Sequence, residues 1–133
     1  MKWTGLPLAR SFLAAPVEVQ PPENTLKVLD SEEGLRLAAG KPDLAADMLS
    51  MLLASLEDDR RVIREARLSN DRQAMIDRIH RLHGATRYCG VPQLRAACER
   101  SETLLKQNHP SAAQALDDLD NAIESLENVA RVV

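Results

Sequence analysis

The chain has very few aromatic residues, so its core has to be built from aliphatic side chains. Only 2% of its 133 residues are aromatic, namely Trp3, Phe12 and Tyr88. The abundant residues include Leu, Ala, Glu and Arg, all good helix formers, whereas aromatic residues that favour strands are scarce. The length suits one domain. Composition therefore predicts a single all-α domain.

The sequence also lacks blocks of basic charge, a set of paired cysteines and long apolar runs. Its net charge is −3, which argues against nucleic acid as a partner. Cys89 and Cys98 fall at core-type helical positions, as expected of free thiols in a reducing compartment. Arg10 interrupts the apolar part of the N-terminus, and no run approaches the roughly 18 apolar residues of a membrane helix. We expect a cytoplasmic module that is not inserted in a membrane.

Proline divides the chain into two parts. Four of the seven prolines lie within residues 1–24, and proline removes the backbone hydrogen bonds that a helix needs. This segment is therefore predicted to be a linker or a flexible tail. Residues 25–133 are predicted to form the folded domain.

The folded part is predicted to begin with a short helix from about Ser31 to Ala39. Asp30 or Ser31 is the expected N-cap, and Gly40 follows the end of the helix. Pro42, a residue that favours the first turn of a helix, then opens a long helix.

Four apolar stripes with steps of three and four residues follow, as amphipathic helices require. Their members are Leu44, Met48, Met51, Leu52, Leu56, Val62, Ile63 and Ala66; Met75, Ile79, Leu82, Thr86 and Cys89; Leu94, Ala97, Cys98, Ser101, Leu104 and Leu105; and Ala112, Leu116, Leu119, Ile123, Leu126 and Val129. Short turns separate the stripes. They predict an antiparallel up-down-up-down four-helix bundle, with the short N-terminal helix as a cap.

The stretch "IHRLHGATRYCG" at residues 79–90 holds two of the three histidines. Because an α-helix turns by about 100° per residue, Leu82 of the core stripe lies about 160° from His80. His80 is therefore predicted to point away from the core, and His83 to lie on the same wet side at its edge. Ile76 is apolar but lies near His80, and it is interpreted as standing outside the core stripe.

Gly84 is the second unusual neighbour of His80. A glycine inside a helix costs about 1 kcal/mol relative to alanine, so a gain other than stability is expected. Without a Cβ, it leaves space for another backbone or a bulky ligand. Arg81, His83 and Arg87 add positive charge. The combination suits a phosphoryl group or an anionic partner.

Other chemistries fit less well. The H-x-x-H spacing places two metal ligands one turn apart, but the further converging ligands that zinc needs are not evident. No Ser or Cys lines up with a His and an acid for nucleophilic hydrolysis, and His109 falls in a turn. No nucleotide-binding loop or kinase signature occurs, so use of ATP is not expected. A helical adaptor or dimerisation bundle with incidental histidines stays open as an alternative.

The stretch "IHRLHGATRYCGVPQL" resembles the signature of histidine-containing phosphotransfer (HPt) domains, H-x-L-K-G-x-x-x-x-x-G. His80, Leu82, Gly84 and Gly90 match it, and His83 replaces the lysine. The resemblance covers about residues 26–130 and is closest to the C-terminal HPt module of BarA/GacS-type hybrid sensor kinases.

The resemblance implies that His80 accepts a phosphoryl group from the aspartate of a receiver domain and passes it to a response regulator. His83 would take the lysine position, and we expect Arg87 to support the phosphoryl group with it. Gly84 would let the receiver dock, together with Ile76 and Arg81. No cofactor is expected on this chain, since the Mg²⁺ would belong to the receiver. A monomer is expected, either free or attached to an inner-membrane sensor kinase.

Overall fold

The computed structural model describes residues 25–131, and this part of the chain is helical throughout apart from short connections. The helices are α1 (Ser31–Leu37), α2 (Pro42–Leu68), α3 (Arg72–Thr86), α4 (Pro92–Lys106) and α5 (Ala112–Arg131). The all-α prediction is confirmed. The predicted linker at residues 1–24 lies outside the described residues.

Helices α2 to α5 form the bundle. Each packs against the next along the chain, and α2 also contacts α5, which closes the ring. The connections 69–71, 87–91 and 107–111 are short, so they reverse the chain direction between neighbours, as an up-down-up-down order requires. Helix α1 packs on α2 at one end of the bundle. No helix within residues 25–131 is long and apolar enough to cross a membrane.

The helix ends follow local side-chain and backbone chemistry. Asp30, rather than Ser31, caps α1, because its Oδ1 accepts a hydrogen bond of 3.0 Å from the backbone N–H of Glu33. Helix α1 ends at Leu37, two residues earlier than predicted, because Ala39 adopts the left-handed conformation with φ 58°. Helix α3 ends at Thr86.

The core is aliphatic, as the composition predicts. Leu56, Ile79 and Leu126 are completely buried, and they come from three of the predicted stripes. Cys89 and Cys98 are both buried, as predicted from their positions, and burial raises the pKa of the Cys89 thiol.

Two details of the predicted core are wrong. Ile76 is only 8% exposed and belongs to the core cluster, because α4 packs along that side of α3. Leu44 and Met51, which were assigned to the core stripe of α2, are 42% and 69% exposed. The short helix α1 therefore leaves one apolar side of α2 uncovered.

Gly90 lies directly against the backbone at the start of α1. Its carbonyl accepts a 2.7 Å hydrogen bond from the backbone N–H of Asp30. A Cβ on Gly90 would lie 2.0 Å from the Asp30 carbonyl oxygen and 2.6 Å from the Gly34 nitrogen. Only glycine permits this contact, which fixes the start of α1 against the connection between α3 and α4.

Arg95 ties the same region together from α4. Its guanidinium donates to both carboxylate oxygens of Glu33 on α1, at 2.8 and 2.7 Å. It also donates to the carbonyls of Thr86 and Cys89, at 3.1 and 3.2 Å. Thr86 is the last residue of α3, and Cys89 lies in the connection between α3 and α4. Arg95 therefore holds the end of the helix that carries both histidines of the motif.

Candidate functional site

His80 stands just past the middle of α3 and points outward, as predicted. Its side chain is 67% exposed, whereas its neighbours in sequence Ile79 and Leu82 are almost fully buried. The ring is held on one side, because its Nδ1 lies 2.7 Å from Oε2 of Glu102. One edge of the imidazole is therefore fixed, while the rest of the ring faces open solvent.

Glu102 is the partner on α4, and its side chain is only 9% exposed. Burial opposes its ionisation, but hydrogen bonds from Lys106 and His80 outweigh burial and leave the pKa of Glu102 below its ordinary value. The group is thus a carboxylate near neutral pH. It is a buried charge with partners, which is the condition under which such charges are tolerated.

Lys106 lies one turn after Glu102 on α4. Its Nζ is 2.9 Å from Glu102 Oε2, the same oxygen that His80 contacts, and its side chain is 57% exposed. An ammonium group therefore stands beside the His80 ring. The sequence did not single out this lysine, because 26 positions of chain separate it from His80.

His83 is less open than predicted. Its side chain is only 14% exposed, and its Nδ1 lies 3.6 Å from Glu102 Oε1, a distance too long for a hydrogen bond. The placement of His83 on the wet side is therefore wrong. The reason is the same as for Ile76: α4 covers this side of α3.

Gly84 opens a clearing beside His80. A Cβ built on Gly84 would meet nothing within 4 Å, so the space predicted there is present. Arg81 and Arg87 are exposed on either side of it. The structure therefore brings together an open imidazole, an unfilled surface and two cations, whereas Ile76 is removed from that surface by its burial.

The contact between His80 and Glu102 fixes the form of the imidazole. An ionised carboxylate can only accept hydrogen bonds, so Nδ1 of His80 must be the donor. In the neutral ring Nε2 then carries the lone pair. The geometry leaves Nε2 as the nucleophilic atom on the exposed side, and the carboxylate can stabilise the positive charge that the ring gains when Nε2 reacts.

His109 is exposed in the turn before α5, where its Nδ1 accepts a 3.0 Å hydrogen bond from the backbone N–H of Ser111. This agrees with its prediction as a loop residue. Within residues 25–131, no group of three or more His, Cys, Asp or Glu side chains is arranged to hold a metal ion.

A family model described as the Hpt domain matches residues 47–129, a span that includes His80, Gly84 and Glu102. The chain belongs to the Hpt domain family. A solved Hpt domain from a sensor hybrid histidine kinase of Shewanella has a TM-score of 0.65 and 34% identity to this chain, and the match covers 80% of this chain and 96% of that one.

Two longer proteins are similar to this Hpt domain in sequence. Sensor protein GacS of Pseudomonas syringae pv. syringae is 63% identical over 138 residues, which cover 100% of this chain and 15% of GacS. The histidine-protein kinase BarA of Escherichia coli strain K12 is 38% identical over 104 residues, which cover 74% of this chain and 11% of BarA. The chain thus spans less than a fifth of the length of these curated relatives.

Membership of the Hpt family confirms the function predicted from the motif. The chain is a phosphotransfer module of the two-component phosphorelay type, and such modules work with receiver domains and response regulators. The resemblance to BarA/GacS-type kinases is likewise confirmed.

Glu102 and Lys106 are the site residues that the sequence analysis missed. One signal was available: Glu102 falls on the inward stripe of α4, beside Cys98, Ser101 and Leu105. A charged residue on an apolar helix face needs a partner when buried. The stripe alone does not say that this partner is His80.

Proposed function

We propose that His80 is the residue that carries the phosphoryl group, bonded through Nε2. The observation that supports this assignment most directly is the 2.7 Å contact between His80 Nδ1 and the buried Glu102 carboxylate. It orients the ring, determines which nitrogen keeps the proton and leaves Nε2 exposed. His83 shares none of these properties, because it is 14% exposed and makes no hydrogen bond to Glu102.

The transfer step needs little from this chain beyond position and charge. The lone pair of Nε2 forms a bond to phosphorus while the bond between phosphorus and the receiver's aspartyl oxygen breaks, and the aspartate leaves as a carboxylate. The proton on Nδ1 stays in place, so the ring becomes a phosphorylated imidazolium held by Glu102. The reverse sequence passes the group to the next aspartate. Positioning and charge stabilisation of this kind carry most of phosphoryl transfer.

The proposed docking surface for the receiver surrounds His80 and is centred on Gly84 and Arg81. Met51 on α2 and Tyr88 after α3 extend it, since both are exposed apolar side chains. The thiol of Cys89 donates to the Met48 carbonyl at 3.4 Å, so the segment of α2 that carries Met51 packs beside the segment that carries Tyr88. Ile76 has no place in this proposal, since it is buried.

The chain uses no cofactor of its own, and the receiver supplies the Mg²⁺ and the acidic pocket. The domain acts as a monomer in the cytoplasm, as part of a sensor kinase or beside one. The exposed surface around His80 and Gly84 supports the proposed docking of a receiver.

The test is transfer from a receiver domain charged with labelled acetyl phosphate. We expect a label on the wild-type chain that is labile in acid and stable in base, as a phosphohistidine is. The His80→Gln variant should take no label, whereas the control His109→Gln should be labelled normally. Mass mapping of the peptide in alkali should place the group on His80. A label on His83, or full labelling of His80→Gln, would overturn the assignment.

A further inference from the structure

The site departs from the family motif at His83, and this departure raises the question of which cation supports the phosphoryl group. The motif places a lysine one turn after the reactive histidine. Here the residue is His83, which is largely buried and whose Nδ1 faces Glu102 on α4. A buried imidazole directed at a carboxylate is poorly placed to reach a group bonded to the exposed edge of His80.

Lys106 has the properties that His83 lacks. Its ammonium group and His80 Nδ1 contact the same oxygen of Glu102, at 2.9 and 2.7 Å. Its side chain is 57% exposed, and a lysine has a flexible stem of four carbons with three rotatable donors. The ammonium can therefore swing from Glu102 toward Nε2 without any movement of the helices.

We propose that Lys106 supplies the cation that supports the phosphoryl group on His80, in place of the lysine that the motif has at position 83. The inference rests on the proposed function. Before transfer, Lys106 and Glu102 neutralise one another. During transfer the His80 ring becomes cationic and takes over the pairing with Glu102, which releases the ammonium to contact the phosphoryl oxygens.

The charge balance supports this exchange of partners. Once the imidazolium forms, the single negative charge of Glu102 faces two cations, His80 and Lys106. His80 makes the shorter contact with it, at 2.7 Å against 2.9 Å for Lys106. The incoming phosphoryl oxygens are the strongest acceptors nearby, and ammonium donors bind them as point charges. Arg87 is exposed at the C-terminal end of α3 and can add a second contact, but it has no tie to Glu102 that transfer would release.

The experiment measures single-turnover transfer from a phosphorylated receiver to three variants. Lys106→Gln keeps a polar side chain, one atom shorter than that of lysine, and removes its charge, so we expect transfer to be slowed about tenfold. Lys106→Arg keeps the charge and should restore the rate to within about threefold of the wild type. The matched control is Lys27→Gln, which removes an exposed lysine outside the site and should change the rate by less than about twofold.

A fourth variant, His83→Gln, decides between the two candidate cations. We expect it to slow transfer less than Lys106→Gln does, with all variants compared at a temperature where circular dichroism shows them folded. A larger defect in His83→Gln would overturn the inference, and so would a Lys106→Gln rate equal to that of Lys27→Gln. Neither result would contradict the proposal that His80 carries the phosphoryl group. That proposal is tested separately, and labelling of the His80→Gln variant would contradict it.

Discussion

Nδ1 of His80 lies 2.7 Å from Oε2 of Glu102, a carboxylate that belongs to a different helix 22 positions further along the chain. The contact joins α3 to α4 at the point where the phosphoryl group is expected. It also turns a solvent-exposed imidazole into one with a defined proton position. A surface histidine without such a partner would exchange freely between its two neutral forms.

Glu102→Gln tests what the negative charge contributes. The amide oxygen can still accept a hydrogen bond from Nδ1–H, but the neutral amide no longer balances the charge of the imidazolium that forms on transfer. Because a charge-assisted hydrogen bond is about twice as strong as a neutral one, we expect transfer to be slowed about tenfold. Single-turnover transfer measures it. Glu99→Gln removes an exposed carboxylate from the same helix and should transfer at the wild-type rate; equal rates for both variants would contradict the role of Glu102.

Leu82→Ala tests the bundle separately from the chemistry. Leu82 is 1% exposed in the core beneath the motif, and removing a buried leucine side chain costs about 2 to 5 kcal/mol. We expect urea unfolding to show this loss, while the folded fraction still accepts label on His80. Leu68→Ala provides the control, since Leu68 is 88% exposed and should change stability by less than about 0.5 kcal/mol. A loss of similar size in both variants would show that the core is misassigned.

The outward direction of His80 was predictable, and the neighbours on its flank were not. The direction follows from the helix period alone, because the core stripe of α3 lies opposite. The positions of Ile76 and His83 depend on how far α4 wraps around α3, which is set by the side chains of two helices together. A helical wheel of α3 alone does not show how far α4 covers it.

The helices of the bundle were predictable from the sequence because their signals are local. The side-chain contacts between helices were not, because they join residues far apart in the chain. Each apolar stripe identifies a helix and its inner face from local spacing. Contacts such as that of His80 with Glu102, or of Arg60 with Asp120, join residues 22 and 60 positions apart. Their formation depends on the register between helices, which no local pattern fixes.

Asp120 gives a prediction for stability against pH. Hydrogen bonds from Arg60, then Arg64, lower the pKa of Asp120 from 3.8 to about 2. A carboxyl whose pKa is lower in the folded state stabilises fully above its ordinary pKa and loses that contribution as pH falls. We therefore expect Asp120→Asn to cost about 1–2 kcal/mol at pH 7, after allowance for its partly exposed partners.

The cost of Asp120→Asn should shrink between about pH 4 and pH 2, where the wild-type carboxyl takes up its proton. Urea unfolding at a series of pH values measures it. Asp117→Asn is the control, because its pair with Arg67 is more exposed, with the carboxylate side chain 57% exposed. It should cost less than about 1 kcal/mol at pH 7. A cost for Asp120→Asn that does not depend on pH would contradict the ion-pair explanation.

Gly84→Gln separates docking from folding. Nothing lies within 4 Å of a Cβ at this position, and glutamine is the better helix former by up to about 1 kcal/mol. Stability should therefore rise slightly while transfer slows, because the longer side chain fills the clearing beside His80. Titration with a receiver should show weaker binding. Ala113→Gln, an exposed position on α5, should leave binding unchanged, and equal affinities for the two variants would exclude the docking role of Gly84.

Gly90→Ala is expected to have the opposite effect on stability from Gly84→Ala, although both glycines belong to the motif. At Gly90 the new Cβ would lie 2.0 Å from the backbone oxygen of Asp30, and backbone cannot move aside as a flexible side chain can. The start of α1 or the connection between α3 and α4 must shift, at a cost of about 1–3 kcal/mol. Gly84→Ala meets open space and should stabilise α3 by up to about 1 kcal/mol. Thermal unfolding of the two variants beside the wild type measures both changes in stability. Destabilisation by Gly84→Ala would contradict the open space beside Gly84.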